Sequence, residues 1–400
     1  MPKLAMTILF YLITFVTSAA TTPLEYVTQN IVIAGKTYTA TLPKGYRLEL
    51  LTNQLDRPRL LTFAANGDLF IGSASDTIYR LTPPYQRAET LVELDGYPHS
   101  IAFRKNEILI AKTDGLYHAT YRQGQRQLNE DDISLLAPLS DSGGHSSRSV
   151  AIGPDGHVYL SLGISGNCSD EFLGKAYRFS QRRGGVLKLL ESTTGNSWTP
   201  FASGLRNPVG FDWHPLSGDM YASNNGPDHH GFEQPPEYFS RLLPGSFHGM
   251  PWFQYDGKKM YRDNCISSKP PRLIKDVTRP VLTFPARNAP MGVAFIPDGA
   301  MSESMTHDAI VALHGSWATQ PDGQYFGAKA TRRHPKIVIA RFLNGKAQRL
   351  DDLITGFQLA NGERWARPVG VTLGTDGALY FTSDAGTHGL FRLKKISKHQ

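Results

Sequence analysis

The stretch Val150-Ala151-Ile152-Gly153-Pro154-Asp155-Gly156-His157-Val158-Tyr159-Leu160 joins a small apolar pair, a turn and a second apolar run. An Asp-Gly pair can adopt the positive φ angles of a tight turn, so apolar runs on both sides of it predict a β-hairpin. A single phrase of this kind could belong to any β protein, whereas repeated phrases predict a repeat architecture. Six phrases start at Phe63, Ile101, Val150, Gly210, Val293 and Val371, with turns at Gly67, Asn106, Gly156, Gly218, Gly299 and Gly377.

The spacing of these turns varies from 39 to 81 residues. This period is too long and too variable for a tight solenoid, but it leaves room for four short strands per unit with insertions on one face. Glycine and proline supply 38 and 26 of the 400 residues, and no long stretch has helical periodicity. The predicted fold class is therefore all-β: a six-bladed β-propeller with four-stranded antiparallel blades, formed by residues 21–400 as one domain.

The first 20 residues have a different character. Lys3 is followed by an apolar run from Leu4 to Val16 and then by small residues up to Ala20. A basic start, a short apolar run and a small-residue exit are typical of a secretory signal peptide. An uncleaved membrane anchor is the alternative. The sequence therefore predicts a signal peptide over residues 1–20 and an exported protein, either periplasmic or secreted.

Charge and cysteine content narrow the class of protein further. The formal net charge is +7, but the basic groups at 329–336 and 394–398 are not interleaved with aromatic residues as in a nucleic-acid module. We therefore expect no nucleic-acid partner, and a basic balance suits an anionic ligand. The two cysteines, Cys168 and Cys265, could pair in an oxidising compartment, with buried free thiols as the alternative.

Ligands of propellers bind where loops of several blades meet at one mouth of the channel, and two such loops are rich in polar residues. Gly143-Gly144-His145 precedes the third phrase, and its glycines allow a tight turn that presents the imidazole. Histidine can take a proton near neutral pH, which makes His145 a candidate general base, although a lone loop histidine is more often structural. Arg206-Asn207 precedes the fourth phrase, and its guanidinium can stabilise negative charge on oxygen.

Three further residues occupy corresponding positions before other phrases. Arg367 precedes the sixth phrase, Arg59 the first and His99 the second. A surface salt bridge could explain any one of them, but their shared position in the blade predicts cationic groups directed at one channel. The expected ligand is an acidic small molecule.

A fourth loop runs from Asn224 to His230 and leads to Pro235-Pro236-Glu237. Its Gly226-Pro227 pair kinks the chain so that backbone carbonyl oxygens can point outward together, and such oxygens suit calcium better than softer metals. The pair His229-His230 suggests zinc, but we expect adjacent side chains to diverge, and no second ligand pair lies at metal spacing. The sequence therefore predicts calcium and not zinc in this loop.

With these loops, the chain from about Leu42 to Leu393 resembles the glucose/sorbosone dehydrogenase family, soluble quinoproteins that carry pyrroloquinoline quinone (PQQ) and calcium on a six-bladed propeller. Each motif alone is only modestly specific for this family, but all of them in this order on six blades are strong evidence for the resemblance. The motifs are Gly143-Gly144-His145, Val150 to Gly156, Gly204-Leu205-Arg206-Asn207-Pro208, Asn225-Gly226-Pro227-Asp228 with Pro235-Pro236-Glu237, His248-Gly249-Met250-Pro251-Trp252, His314-Gly315-Ser316-Trp317 and Arg367-Pro368-Val369.

The resemblance implies oxidation of an aldose sugar or a sorbosone-like aldehyde or alcohol by hydride transfer to the quinone. It implies that His145 is the base, that Arg206 and Asn207 polarise the quinone oxygen, and that the carbonyls of Gly226 and Pro227 hold calcium. Arg367 and a lysine would bind the cofactor carboxylates, with His99 and Arg59 in the same cofactor-binding set. Electrons would pass to a periplasmic carrier or a membrane acceptor.

The sequence leaves several assignments open. In many family members the Gly-Ser-Trp segment soon reaches a Gly-Tyr-Lys lysine, but here Ala318-Thr319 and a longer basic loop intervene; Lys336 is the best match and Lys329 the rival. Relatives often have cysteine where Phe253 stands, which leaves a Cys168–Cys265 bridge as a weak hypothesis. The alternative functions are a non-catalytic propeller binding module and a calcium-dependent lactonase-like hydrolase. The hydrolase would need a ring of Asp, Asn and Glu side chains, which the sequence does not assemble.

Overall fold

Each of the six phrases forms the first two strands of one blade. In the third phrase Val150 lies opposite Leu160 and Ile152 opposite Val158, with Gly156 in the turn at a φ of 76°. The computed structural model describes residues 23–140, 143–174 and 182–396, so the predicted signal peptide lies outside the described residues. The prediction of a six-bladed, all-β propeller with four-stranded antiparallel blades is confirmed.

The described chain begins with a hairpin and the strand that will complete the last blade. These are β1 (Tyr26–Ile33), β2 (Lys36–Pro43) and β3 (Tyr46–Thr52). Blade 1 contains β4 (Pro58–Phe63), β5 (Leu69–Ser73), β6 (Thr77–Leu81) and β7 (Ala88–Glu93). Blade 2 contains β8 (Ser100–Arg104), β9 (Glu107–Lys112), β10 (Gly115–Thr120) and β11 (Ser134–Pro138). Blade 3 contains β12 (Val150–Ile152), β13 (Val158–Leu162), β14 (Gly185–Leu190) and β15 (Ser197–Ser203).

Blade 4 is interrupted by an insertion before its last strand. The blade contains β16 (Phe211–Trp213), β17 (Met220–Asn224), β18 (Glu237–Leu242) and, after the insertion, β22 (Leu282–Phe284). The insertion contains β19 (Ser246–Phe247), β20 (Phe253–Tyr255) and β21 (Met260–Arg262). Strand β19 adds in parallel to β15 of blade 3, whereas β20 and β21 form a separate hairpin. The insertion therefore lies across blades 3 and 4.

The last two blades close the ring. Blade 5 contains β23 (Pro290–Phe295), β24 (Ala309–Leu313), β25 (Lys336–Leu343) and β26 (Lys346–Ile354), and blade 6 contains β27 (Pro368–Leu373), β28 (Leu379–Ala385), β29 (Thr387–Lys395) and the N-terminal β3. Leu48 of β3 lies opposite Leu393 of β29, so a strand from near the beginning of the described chain completes the blade formed by its end. Short 3-10 turns occupy Glu130–Asp132, Ile274–Asp276, Glu303–Met305 and Lys329–Thr331.

The hydrophobic core lies between neighbouring blades. Second strands such as β5, β13, β17 and β24 are buried along their whole length, because another blade covers each face. Between blades 1 and 2, for example, Phe70 and Ile78 pack in one cluster with Ile101 and Ile110. Each large apolar side chain buried in this way contributes about 1.5–3 kcal/mol.

The inner strands β4, β8, β12, β16, β23 and β27 surround a central cavity of about 340 Å³. Two glycines are needed for this close approach. A Cβ at Gly210 would lie 2.2 Å from the Met291 carbonyl oxygen, and one at Gly370 would lie 2.7 Å from the Arg59 carbonyl oxygen. The loops at the N-terminal ends of the inner strands meet at one end of this cavity, which we call the N-terminal mouth. Among the described residues, no helix has the length and apolar character needed to cross a membrane.

Candidate active site at the channel mouth

Every blade brings a basic side chain to the N-terminal mouth. The residues, which lie at or shortly before the six inner strands, are Arg59, His99, His145, Arg206, Arg287 and Arg367. The sequence predicted all of these except Arg287. Its position shortly before β23 is comparable to that of Arg206 before β16, so the repeat itself was the signal that could have found it.

The geometry of His145 determines which ring nitrogen can act as a base. Its Nδ1 contacts the carbonyl oxygen of Ile164, and because a carbonyl can only accept, Nδ1 must carry the proton. In the neutral ring, Nε2 therefore has the free lone pair. Burial and the positive charge of Arg206 lower the pKa of His145 to about 4, so the ring is neutral at ordinary pH.

Two fully buried arginines hold the loop that presents His145. Arg183 donates to the carbonyl oxygens of Gly143 at 2.6 Å and His145 at 3.1 Å, and Arg148 donates to the His145 carbonyl at 2.6 Å. Gly144 has a φ of 79°, and a Cβ there would lie 2.1 Å from the Ser165 carbonyl oxygen. The close approach to Ser165 is therefore the specific reason why this loop needs a glycine. The sequence motifs did not indicate Arg148 or Arg183 as site residues.

Arg206 and Arg287 share the carboxylate of Asp228. Arg206 donates to Oδ2 at 2.7 Å and Arg287 to Oδ1 at 2.5 Å. Both guanidinium groups are buried, and burial together with the neighbouring Arg287 lowers the pKa of Arg206 from its ordinary value. Asn167 accepts from Arg206 Nε at 2.9 Å and from the Asp228 backbone N–H at 3.2 Å. The arrangement fixes both positive charges at the mouth.

Asn207 lies directly beside His145. A Cβ at Gly163 would meet Asn207 Oδ1 at 2.6 Å and His145 Cβ at 2.8 Å, so this glycine separates the two predicted site residues. The backbone N–H of Asn207 donates to Asn224 Oδ1 at 3.0 Å, and Asn225 Nδ2 donates to the Pro290 carbonyl at 2.7 Å. Asn224 Oδ1 and Asn225 Nδ2 are thus bonded to the backbone.

The loop with Gly226 and Pro227 faces a buried carboxyl group, Glu237 at the start of β18. Burial raises the pKa of Glu237 to about 8, although backbone hydrogen bonds from Ala289 and Gly226 counteract part of this effect. Glu237 Oε2 is buried and has no hydrogen-bond partner within the described part of the chain. An unpartnered hard oxygen ligand next to Gly226 fits the donor chemistry of a calcium site.

Arg59 and His314 bind one carboxylate on the opposite side of the mouth. Arg59 donates to Asp384 Oδ2 at 2.6 Å, and His314 Nε2 lies 2.6 Å from Asp384 Oδ1. Burial alone would raise the pKa of Asp384, but His314 and Arg59 outweigh it and hold that pKa below its usual range. His99 is also buried, with Nδ1 2.9 Å from the Arg148 carbonyl oxygen. Arg59 therefore forms an ion pair with Asp384, whereas Arg367 has no ion pair among the described residues.

A strongly cationic pocket of about 420 Å³ lies beside Arg367. Lys329, Arg332, Arg364 and Arg367 line it together with the exposed Glu363. Within the described residues, none of the four basic side chains lies close enough to a carboxylate to form an ion pair. Arg367 instead donates to the carbonyl oxygens of His314 and Gly315. Burial and the charges of Arg367 and Arg332 lower the pKa of Arg364 to about 9. Four basic side chains against one lining carboxylate favour an anionic ligand.

The two lysines that the sequence left as rivals occupy different environments. Lys329 lines the cationic pocket, whereas Lys336 at the start of β25 donates to Asp352 on the outer strand β26 at 2.6 Å. The structure therefore brings Lys329, and not Lys336, to Arg367.

Aromatic side chains connect this pocket to the arginine pair. The Arg287 guanidinium lies 5.5 Å from the ring centre of Trp317, and Tyr325 stacks on Trp317 with ring centres 4.6 Å apart. Arg364 of the cationic pocket donates to the carbonyl oxygen of Ser316, the residue before Trp317, at 2.7 Å. One wall of polar and aromatic groups thus runs along the mouth from His145 to the cationic pocket.

One expectation about the fourth loop is wrong. His229 and His230 do not diverge: their ring centres lie 4.0 Å apart, and both rings contact Asp263. The kinked loop turns them toward the insertion, whose residue Asp263 lies too far along the sequence to be recognised as a partner. Outside this loop, the hypothesis of a Cys168–Cys265 bridge is confirmed: the two cysteines form a disulfide, with Cα atoms 5.6 Å apart.

Comparison with known proteins places the chain in a family. The model of the family described as TrAA12-like matches residues 40–234 and 253–395. The chain belongs to the TrAA12-like family. The matched ranges of this TrAA12-like chain include the mouth residues from Arg59 to Arg367.

Solved structures share the fold of this TrAA12-like chain. An iodide-containing structure of a Trichoderma reesei enzyme of carbohydrate-active family AA12 has a TM-score of 0.75 at 19% identity, covering 92% of this chain and 100% of that one. The holo form of the PQQ domain of Coprinopsis cinerea pyranose dehydrogenase has a TM-score of 0.70 at 19% identity, covering 89% and 97%. The soluble aldose sugar dehydrogenase of Escherichia coli has a TM-score of 0.62 at 14% identity, covering 88% and 99%.

A relative in sequence comes from Borreliella burgdorferi. This uncharacterized protein is 26% identical over 377 residues, which are 90% of this chain and 93% of the relative. The family match confirms the family resemblance that the motifs had indicated, and the solved sugar dehydrogenases share the fold of the chain.

Proposed function

We propose that this TrAA12-like protein is a PQQ- and calcium-dependent dehydrogenase that oxidises an aldose sugar or a sorbosone-like aldehyde or alcohol. The observation that supports the proposal is the set of polar groups at the N-terminal mouth, with the neutral base His145 on one side and a pocket of four basic side chains and one carboxylate on the other. A base alone would suit many reactions, and a cationic pocket alone would suit many anions. Their combination favours redox chemistry with a polycarboxylate cofactor.

His145 would act on the substrate hydroxyl group. Nε2 has the free lone pair, because Nδ1 donates to Ile164, so Nε2 is the atom that accepts the proton. The loop is held by Arg148 and Arg183, which keeps the imidazole in one orientation. When bound, PQQ supplies the acceptor for the hydride that leaves the substrate carbon, and calcium supplies a Lewis acid.

Arg206 and Asn207 would stabilise negative charge that develops on oxygen at the mouth. Arg206 is held by Asp228 and Asn167 and therefore needs no reorganisation to present its remaining donors. Arg287 adds a second fixed positive charge, and Asp228 keeps the two guanidinium groups apart. We therefore add Arg287 to the charge-stabilising set.

Lys329, Arg364 and Arg367 would bind the cofactor carboxylates, with Arg332 beside them. We infer that Lys329, rather than Lys336, is the cofactor lysine, because Lys336 is already paired with Asp352. His99 Nε2 is buried without a hydrogen-bond partner among the described residues, which suits a role in binding a ligand from the channel side. Arg59 would act more weakly, since Asp384 already neutralises its charge.

Calcium would be held by the carbonyl oxygens of Gly226 and Pro227, with Glu237 as a further oxygen ligand. The buried, unpartnered Oε2 of Glu237 supports this assignment, because a bound cation would compensate the carboxylate that burial now disfavours. The proposal also includes export by a signal peptide over residues 1–20 and electron transfer to a periplasmic or membrane acceptor.

The experiment uses mature protein that has been treated with a chelator and then loaded with PQQ and calcium. The absorbance of the bound cofactor is followed anaerobically while a panel of aldoses is added. We expect saturable PQQ binding and reduction by at least one sugar, with reduction but not binding lost in His145→Ala. Absence of PQQ binding would overturn the proposal and favour a binding module, and His145→Ala that reduces at the wild-type rate would overturn the assignment of the base. His157→Ala, on the exposed turn of the third phrase, is the matched control.

A further inference from the structure

A second group of ligating side chains lies outside the channel, where the fourth loop meets the blade 4 insertion. His229 Nε2 lies 3.1 Å from Asp263 Oδ2, and His230 Nε2 lies 3.0 Å from the same oxygen. One ring nitrogen of each histidine and one carboxylate oxygen all lie within 4.8 Å of one another. Ligands around one metal ion at about 2.0–2.2 Å are separated by comparable distances.

The three side chains are held in place by their surroundings. The Asp263 side chain is only 1% exposed, and its oxygens accept from the Cys265 backbone N–H and from Gln254 Nε2, each at 3.0 Å. His229 Nδ1 faces Cys168 Sγ at 3.9 Å, which leaves Nε2 directed at Asp263. Partners that orient a ligating carboxylate and the far nitrogen of a ligating imidazole are typical of metal centres.

The site is also accessible. The side chains of His229 and His230 are 25% and 24% exposed, so an ion can enter from solvent and keep water in its remaining position. Two imidazoles and one carboxylate suit zinc and other borderline transition metals better than calcium, which prefers oxygen ligands alone. The sulfur atoms of Cys168 and Cys265 are bonded to each other and therefore do not act as thiolate ligands.

We propose that His229 Nε2, His230 Nε2 and the Asp263 carboxylate form a zinc site that is separate from the channel. The ion would tie the fourth loop to the insertion. His229 directly follows Asp228, the carboxylate that holds Arg206 and Arg287, so zinc would stabilise the loop that positions these arginines. The proposal does not rest on the proposed dehydrogenase activity, because its test measures metal binding and thermal stability and not sugar oxidation.

The test uses the purified full-length mature protein with its disulfide intact, stripped of metal and titrated with zinc in the presence of excess calcium. We expect one zinc ion per chain by elemental analysis after desalting, and a rise in the thermal midpoint as zinc stabilises the native state. His230→Ala and Asp263→Asn should each lower zinc affinity by at least about tenfold, whereas His157→Ala should bind as the wild type does.

Cobalt replaces zinc in a second measurement that needs no variant, in case Asp263→Asn fails to fold. Cobalt bound by imidazole and carboxylate should give ligand-field bands without a thiolate charge-transfer band. A thiolate band would assign the metal to Cys168 and Cys265 and overturn the proposal. No zinc binding by the wild-type protein, or wild-type affinity in a folded His230→Ala variant, would overturn it as well.

Discussion

The chemistry of the mouth depends first on the protonation of single residues, and His145 is the clearest case. Burial and Arg206 lower its pKa to about 4 from the ordinary value of 6.5. The unprotonated base is present above that pKa and is lost as the pH falls through it. We therefore expect the acid limb of kcat/KM for sugar oxidation near pH 4, measured by dye reduction across a pH series. Arg206→Gln should move the limb to higher pH, and a wild-type limb near pH 6.5 would contradict the assignment.

Asp228 is the residue on which two buried charges depend. Asp228→Asn leaves Arg206 and Arg287 without their carboxylate, and their side chains are only 9% and 3% exposed. Breaking a buried ion pair on one side typically costs about 3–5 kcal/mol, and we expect a loss of that size in the free energy of unfolding by urea. Asp219→Asn is the control, since its partner Arg241 is 45% exposed and such pairs contribute about 0–1 kcal/mol. Equal losses in both variants would contradict the prediction.

At the scale of elements, the ring depends on one strand that is distant in sequence from its partners. Strand β3 pairs with β29, and Leu48 is buried in the cluster shared by blades 5 and 6. Leu48→Ala should lower the free energy of unfolding by about 2–5 kcal/mol, because it leaves a cavity where the ring closes. Val32→Ala on β1, whose side chain is exposed, should change it by less than about 0.5 kcal/mol. Denaturant unfolding measures the free energy of unfolding of both variants. A Leu48→Ala protein as stable as the Val32→Ala protein would show that closure of the ring does not depend on β3.

The insertion of blade 4 is the element that the repeat did not predict. It adds β19 to blade 3, brings Cys265 to Cys168, and carries Asp263 to the fourth loop. Asn167, next to Cys168, accepts from Arg206. Through these contacts a segment outside the regular blades supports the polar network of the mouth.

At the scale of the whole molecule, stability should depend on the buried carboxyl group of Glu237. Burial raises its pKa from 4.5 to about 8, so the folded state holds this proton more tightly than the unfolded chain. The stabilising contribution is complete below pH 4.5 and is lost as the pH rises through 8. In calcium-free protein we expect the free energy of unfolding to fall as the pH rises from 4.5 to about 8. Glu237→Gln should remove the part of this fall that is due to the Glu237 carboxyl group.

Urea unfolding of the calcium-free protein at several pH values provides the measurement. Glu93→Gln, at an exposed position on β7, is the control and should decline as the wild type does. A Glu237→Gln protein with the same pH dependence as the wild type would contradict the prediction. Added calcium should reduce the decline in the wild type, because a bound cation stabilises the carboxylate.

The sequence by itself determined the fold class, because each hairpin is specified locally by two apolar runs and a turn such as Asp155-Gly156. It also indicated His145, Arg206 and Arg367 as site candidates, because every blade repeats the same position before its inner strand. These inferences depend on short stretches of chain and on their repetition.

Only the tertiary structure decided which residues meet. Asp228 bridges Arg206 and Arg287, Lys329 reaches the pocket of Arg367, and Asp263 receives His229 and His230. Each of these contacts joins loops of different blades or of the insertion, whose approach is fixed by ring closure and not by local spacing. Ring closure also makes the pocket of Arg367 cationic. A lysine or arginine is neutralised only where the packed blades bring a carboxylate close to it.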